Sequence, residues 1–105
     1  MDAVSDATFA DEVLRAAQPV IVEFTAPWCK PCRAIEPILG ELATELEGRA
    51  RVVALDVDEN IVTPSRYGVL TVPTVTLFAD GEPRASVLGA QPKRRFVEAF
   101  APYLD

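Results

Sequence analysis

Cys29 and Cys32 are the residues of this chain whose type and spacing most directly imply chemistry, and they are its only two cysteines. They lie in the segment Trp28-Cys29-Lys30-Pro31-Cys32, after an apolar run and ahead of an amphipathic pattern. A junction between a buried strand and a helix N-terminus offers free backbone N–H groups and the positive end of the helix dipole, both of which stabilise an anion. A thiol placed there is held below its ordinary pKa range, so more of it is thiolate at neutral pH. The i, i+3 spacing within a first helical turn brings the second sulfur within bonding distance of the first. Cys29, leading and expected to be exposed, is placed to attack a disulfide. Cys32, inside the helix, is placed to attack the mixed disulfide that results. Pro31 between them has no N–H and limits the freedom of the turn.

Other uses of two cysteines fare worse. A structural zinc site needs four ligands, and two thiols without any histidine do not supply them. A bridge closing about four residues removes only ~2 kcal/mol of unfolded-state entropy, against ~4.7 for a loop of a hundred residues. A bridge that stabilises so little is better suited to being made and broken. The absence of histidine also removes Ser-His-Asp and Cys-His catalysis and any imidazole pH switch.

The rest of the composition is that of one soluble globular domain spanning residues 1–105, with half of its residues hydrophobic and a quarter charged. Ten basic against sixteen acidic residues give a net charge of −6, which argues against a nucleic-acid partner. The basic cluster Lys93-Arg94-Arg95 reads as the solvated start of a helix. No apolar run approaches the ~20 residues that span a bilayer. The acidic opening Met1 to Asp6 lacks the pattern of a secretory signal, so the expectation is a cytoplasmic protein without a membrane partner.

The elements that must position the cysteines follow from periodicity and turn signals. Thr8-Phe9-Ala10-Asp11 resembles a capping box, which predicts a first helix over about 8–17. Val20 to Phe24 reads as a strand covered on both faces. A helix from near Cys32 to about Glu47, stopped by Gly48, shows an apolar stripe of Ile35, Ile38, Leu39, Leu42, Ala43 and Leu46. Glu36 falls on its wet side, and Pro37 should kink it. A strand follows over Arg51–Asp58, then a short helix opened by Thr63 with Pro64 at its first position and closed at Gly68. Thr74–Phe78 and Ala85–Leu88 flank Asp80-Gly81, a hairpin signal. Pro92 begins a last helix that buries Phe96, Val97, Phe100 and Leu104. The alternation predicts an α/β protein: a mixed central sheet with helices on both faces, parallel strands first and an antiparallel hairpin last.

Taken together, these residues resemble the thioredoxin family along nearly the whole chain. The match includes Phe24 to Cys32, Pro37, Asp58, Tyr67-Gly68-Val69, Val72-Pro73-Thr74, Phe78, Gly81 and Gly89-Ala90. The resemblance implies a thioredoxin fold with Cys29 as the nucleophile and Cys32 as the resolving thiol. It also implies a cis peptide at Pro73 facing the sulfurs, and a substrate-docking surface on Trp28, Val72, Pro73, Gly89 and Ala90. Local sequence alone reads Trp28 equally as a packing residue.

Three departures bear on function. The family usually has glycine where this chain has Lys30; an ammonium there either lowers the Cys29 pKa, or points into water or toward an acidic target. The family typically has a buried aspartate, held to exchange the proton of the resolving cysteine, where this chain has Glu23. A buried Glu23 suits that proton transfer, with an extra methylene, whereas strict alternation would put it on a solvated face. A lysine often found opposite that acid is Ala54 here, and the family's first strand is reduced to Asp2–Ser5.

The function implied is reduction of protein disulfides by a Cys29/Cys32 couple. No cofactor is expected within the chain, which has no Rossmann glycine motif. Electrons would come from a thioredoxin reductase and pass to disulfide-containing targets, with the protein acting as a monomer. A disulfide oxidase or isomerase is the alternative within this chemistry, and a thioredoxin-fold binding module the alternative outside it.

Overall fold

The computed structural model describes residues 1–104. Five strands form one sheet in the order β1-β3-β2-β4-β5. They are β1 (Asp2–Val4), β2 (Val20–Thr25), β3 (Arg51–Asp56), β4 (Thr74–Ala79) and β5 (Glu82–Leu88). β3 runs parallel to both β1 and β2, whereas β4 is antiparallel to β2 and β5 to β4. The helices are α1 (Lys30–Glu45), α2 (Val62–Arg66) and α3 (Lys93–Phe100), with a π-helical turn at Ala10–Leu14 and a 3-10 turn at Ala101–Tyr103. Among the described residues, no helix is long and apolar enough to cross a membrane. The reduced first strand does form, as three residues paired in register with Val53 to Leu55.

β2 is central, and all but its last residue are buried. Alternation divides it between two apolar layers. Val20, Val22 and Phe24 join Val4, Phe9, Val13, Val53, Leu55 and Phe78 on one face. On the other, Ile21 packs with Ile35, Leu39 and Leu42 of α1, Val75 and Leu77 of β4, and Phe96 and Phe100 of α3. Helices therefore lie on both faces, as the patterning predicts, with α1 and α3 on the side that Ile21 and Glu23 share. Across the first layer, Phe9, Tyr67 and Phe78 make mutual ring contacts at 5.0–5.8 Å between centroids. That cluster ties the N-terminal turn and the end of α2 to the sheet.

Local expectations fail in four places, each for a physical reason. The N-terminal helix is one π-helical turn, and the reciprocal hydrogen bonds ahead of it join Ser5 and Thr8 instead of Thr8 and Asp11. Ser5 N–H donates to Thr8 Oγ1 at 2.9 Å and Thr8 N–H to Ser5 Oγ at 3.3 Å, placing the box three residues early. Helix α2 starts at Val62, so Pro64 stands at its third position, and its cap comes from far along the chain. The Asp6 carboxylate accepts from Val62 N–H at 3.1 Å and Thr63 N–H at 2.8 Å. Hydrogen bonding to Thr63, followed by the backbone of Val62, holds the Asp6 carboxyl below its ordinary range. Strand β3 ends at Asp56, because the Asp56 carboxylate turns back to accept from Asp58 N–H at 2.8 Å. Val97 is 44% exposed, because Phe96 and Phe100, one turn apart, fill the interface of the short helix α3.

The hairpin follows its signal. Asp80 and Gly81 have φ of 55° and 78°, the two consecutive positive values of a tight two-residue turn between Ala79 and Glu82.

Candidate active site

Helix α1 begins at Lys30, two residues earlier than its periodicity suggests, and Cys29 is its N-cap. Cys29 has extended backbone angles (φ −88°, ψ 102°), and its Sγ accepts from Cys32 N–H at 3.1 Å. Ahead of the helix, Cys29 N–H donates to Ala26 O at 3.1 Å, and the Arg33 guanidinium donates to Pro27 O. The turn is thus fastened on both sides of the cysteine. Pro31 occupies the second helical position, where a missing N–H leaves no helix bond unmade. Helix α1 continues through Pro37 to Glu45.

Cys29 and Cys32 are joined as a disulfide, with Cα atoms 5.3 Å apart. The expectation of an exposed Cys29 is corrected: in this oxidised state it is 2% accessible and Cys32 is fully buried. The cause is packing. Ala26 joins the two cysteines in a small cluster against which Val57 and Val72 lie.

Of the remaining residues singled out in the sequence, Val72 packs against the bridge, and Trp28 and Lys30 flank Cys29 in the chain. Trp28 is 65% exposed, yet its indole N–H donates to Asp58 Oδ2 at 2.9 Å. Trp28 and Val72 line one open cleft of about 310 Å³, together with Val57, Val69, Leu70 and Thr71. The Val72–Pro73 peptide is cis and Pro73 is buried. Pro73 O accepts from Gly89 N–H at 2.9 Å, which brings Gly89 and the exposed Ala90 alongside it. Gly89 has φ +83°, a left-handed conformation that a side chain would strain. Lys30 is exposed at the first position of α1.

Glu23 is completely buried, which removes the solvated-face reading. Its register neighbours are Ala54 on β3 and Val75 on β4. Ala54 stands at the position where the resemblance marks an opposing lysine, so no cation answers Glu23 from its register neighbour on β3. Among the described residues, neither carboxylate oxygen of Glu23 has a hydrogen-bond partner. Burial, reinforced by the nearby negative charge of Glu36, pushes its pKa up to about 7. At neutral pH such a carboxyl is divided between its two forms, which is the condition for efficient proton exchange.

Two contributors escaped the sequence reading. Asp58 was matched to the family without a role, and the structure makes it the hydrogen-bond partner of Trp28. Glu36 is exposed, on the wet side of its helix as the pattern predicts, but its charge also raises the Glu23 pKa; the available signal was its place four residues after Cys32.

Comparison with known proteins agrees with this geometry. The family model described as Thioredoxin matches residues 1–101. The chain is 47% identical over 98 residues to a thioredoxin of Rhodospirillum rubrum, covering 93% of this chain and 94% of that protein. It is 43% identical over 101 residues to a thioredoxin of Synechocystis sp., covering 96% and 94%. With the chloroplastic M-type thioredoxin of Brassica napus it shares 40% identity over 102 residues, 97% of this chain and 58% of that one. Because the match runs through the whole sheet as well as the cysteine-bearing turn, the chain belongs to the thioredoxin family, and its Cys29–Cys32 bridge is the redox-active disulfide of a protein dithiol–disulfide oxidoreductase.

Proposed function

We propose that the protein works as a reductant of disulfides in other proteins, with Cys29 attacking and Cys32 resolving. The observation that carries this is the Cys29 side chain at the N-cap of α1, its sulfur already accepting the Cys32 N–H. An anion on that sulfur is stabilised by the hydrogen bond and by the unpaired N–H groups of the first turn. In the reduced protein the Cys29 thiolate attacks one sulfur of a target disulfide, forming a mixed disulfide and expelling the other sulfur as a thiolate. Cys32 then loses its proton, and its thiolate attacks the Cys29 sulfur. The intramolecular bridge re-forms and the second target sulfur leaves. Two electrons pass to the target and two protons end on its thiols.

Glu23 is the base for the Cys32 proton, on the strength of its complete burial, its unpartnered oxygens and a pKa near neutrality. Trp28, Val72, Pro73, Gly89 and Ala90 form the surface on which an extended target segment lies. Support for this comes from the cleft shared by Trp28 and Val72 and from the Pro73–Gly89 hydrogen bond beside it. A thioredoxin reductase would return the bridge to the dithiol, in the reducing setting of a cytoplasm. The protein would act as a monomer.

Insulin reduction with dithiothreitol as electron source tests the activity, and Cys32→Ser tests the assignment. The wild type should precipitate insulin chains. Cys29→Ser should be inert, and Cys32→Ser should accumulate mixed disulfides with targets. Trapping through Cys32 in a Cys29→Ser protein instead would reverse the two roles.

A further inference from the structure

The second carboxylate near the active site, Glu36, is unused by the chemistry described so far. Glu23 and Glu36 line the same cavity of about 400 Å³, together with Met1, Gly40 and Ala54. Its space comes from small residues. Ala54 faces Glu23 across the β2–β3 ladder, and a Cβ built at Gly40 meets nothing within 4 Å. Glu23 is inaccessible, with both oxygens unpartnered among the described residues, whereas Glu36 is exposed.

Helix geometry connects this cavity to the sulfur. Cys32, Glu36 and Gly40 stand at i, i+4 and i+8 of α1, so they share one face of the helix. Glu36 thus stands one turn from Cys32 along the helix. From β3 and β4 the register neighbours of Glu23 are Ala54 and Val75, neither of them titratable. α1 contributes Glu36, which lines the same cavity, as does Met1. Among the described residues lining the cavity, Glu36 is the one other carboxylate.

We propose that Glu36 is the solvent-side proton relay of this active site, passing to bulk water the proton that Glu23 takes from Cys32. The step balances without a further reactant. Cys32–SH gives its proton to the Glu23 carboxylate, and the thiolate left behind closes the Cys29–Cys32 bond as the target thiolate departs. The neutral Glu23 then passes the proton through water in the cavity to the Glu36 carboxylate, which releases it to solvent, where the departed target thiolate is protonated. The reverse route serves re-reduction. Glu36 acts through Glu23 and does not touch the reacting sulfurs, so its role is one of positioning and proton supply.

This relay rests on the disulfide-exchange reading above, and its test keeps the two apart. Single-turnover reduction of a target disulfide is followed against pH in weakly buffered solution for wild type, Glu36→Gln, Glu36→Asp and Glu23→Gln, each with and without added imidazole. Glu36→Gln should slow the turnover severalfold near neutral pH, imidazole should restore it, and Glu36→Asp should keep most of the rate. Glu23→Gln should be slow and unresponsive to imidazole. In parallel, carbon-13 NMR titration of Glu23 in oxidised Glu36→Gln should show its pKa lowered, because the like charge is gone. A lowered Glu23 pKa without buffer rescue would make Glu36 only an electrostatic neighbour and overturn the relay. So would a wild-type rate in weak buffer. Either result leaves disulfide exchange standing if Glu23→Gln is slow. A Cys29→Ser protein as active as wild type would instead remove the exchange reading itself.

Discussion

The burial of Glu23 makes a thermodynamic claim that can be measured without any substrate. Its carboxyl rises from an ordinary 4.5 to about 7, chiefly because burial penalises the charged form and secondarily because of Glu36. At 1.36 kcal/mol for each decade of proton affinity, that difference is worth roughly 3 kcal/mol. The native state binds the proton more tightly than the unfolded chain between those two values. Native stability is therefore greatest, as far as Glu23 is concerned, below about 4.5, falls as pH rises toward 7, and levels off above it. Glu23→Gln removes the titration while keeping the size and a polar amide. The quantity to follow is the stability of wild type minus that of the variant, from urea unfolding of the oxidised proteins, in which neither cysteine titrates. That difference should move by about 3 kcal/mol against the wild type between pH 4.5 and 8. For a domain of this size the corresponding relative shift in Tm is on the order of 10–20 °C. A difference that stays level across this range would show that the carboxyl titrates as an exposed one does. The burial argument, and with it the base assigned to Cys32, would then be wrong.

Two further substitutions probe the surroundings of Cys29. Lys30→Gly removes an exposed ammonium adjacent to the cysteine; the Cys29 pKa should rise, read from thiolate absorbance in the ultraviolet, and an unchanged or lower value would assign Lys30 to solvent alone. Asp58→Ala removes the acceptor of the Trp28 indole N–H, and should weaken target reduction through KM more than kcat while raising the mobility of the single tryptophan in fluorescence anisotropy. Unaltered anisotropy would mean that packing alone holds the ring.

Much of this fold is legible in one dimension because the elements near the site are strongly patterned. The unbroken apolar run of β2 announces a strand covered on both faces, and Ile35, Leu39, Leu42 and Leu46 announce the buried stripe of α1. Asp80-Gly81 specifies its turn by local stereochemistry. What stayed hidden depends on partners distant in sequence. The cap of α2 is a carboxylate more than fifty residues upstream, whereas Thr63 and Pro64 read locally as a self-contained start. The N-terminal segment has helical spacing at Phe9 and Val13 but closes as a π turn, since those two side chains must reach one aromatic layer.

The same distinction governs the site. CxxC opening an amphipathic helix is a local signal, and it brings Cys29 and Cys32 to the first turn of α1, to within two residues of the helix start. The accessibility of Cys29 is not local: it depends on Val57 and Val72 arriving from the β3–α2 and α2–β4 connections. Glu23 illustrates the point most sharply. Its period within β2 places it opposite Val22 and Phe24, which in an open two-layer protein would mean water. The outcome turns on whether a helix covers that second face, and Ile21, two residues away on the same face, lies under α1 and α3. A polar residue in a doubly covered strand has no wet side to occupy. Its charge must then be answered within the protein or titrated away, and with Ala54 and Val75 beside it no answer comes from the sheet. The absence of a partner is therefore what leaves Glu23 able to gain and lose a proton near neutral pH, where an ion-paired carboxylate would stay charged.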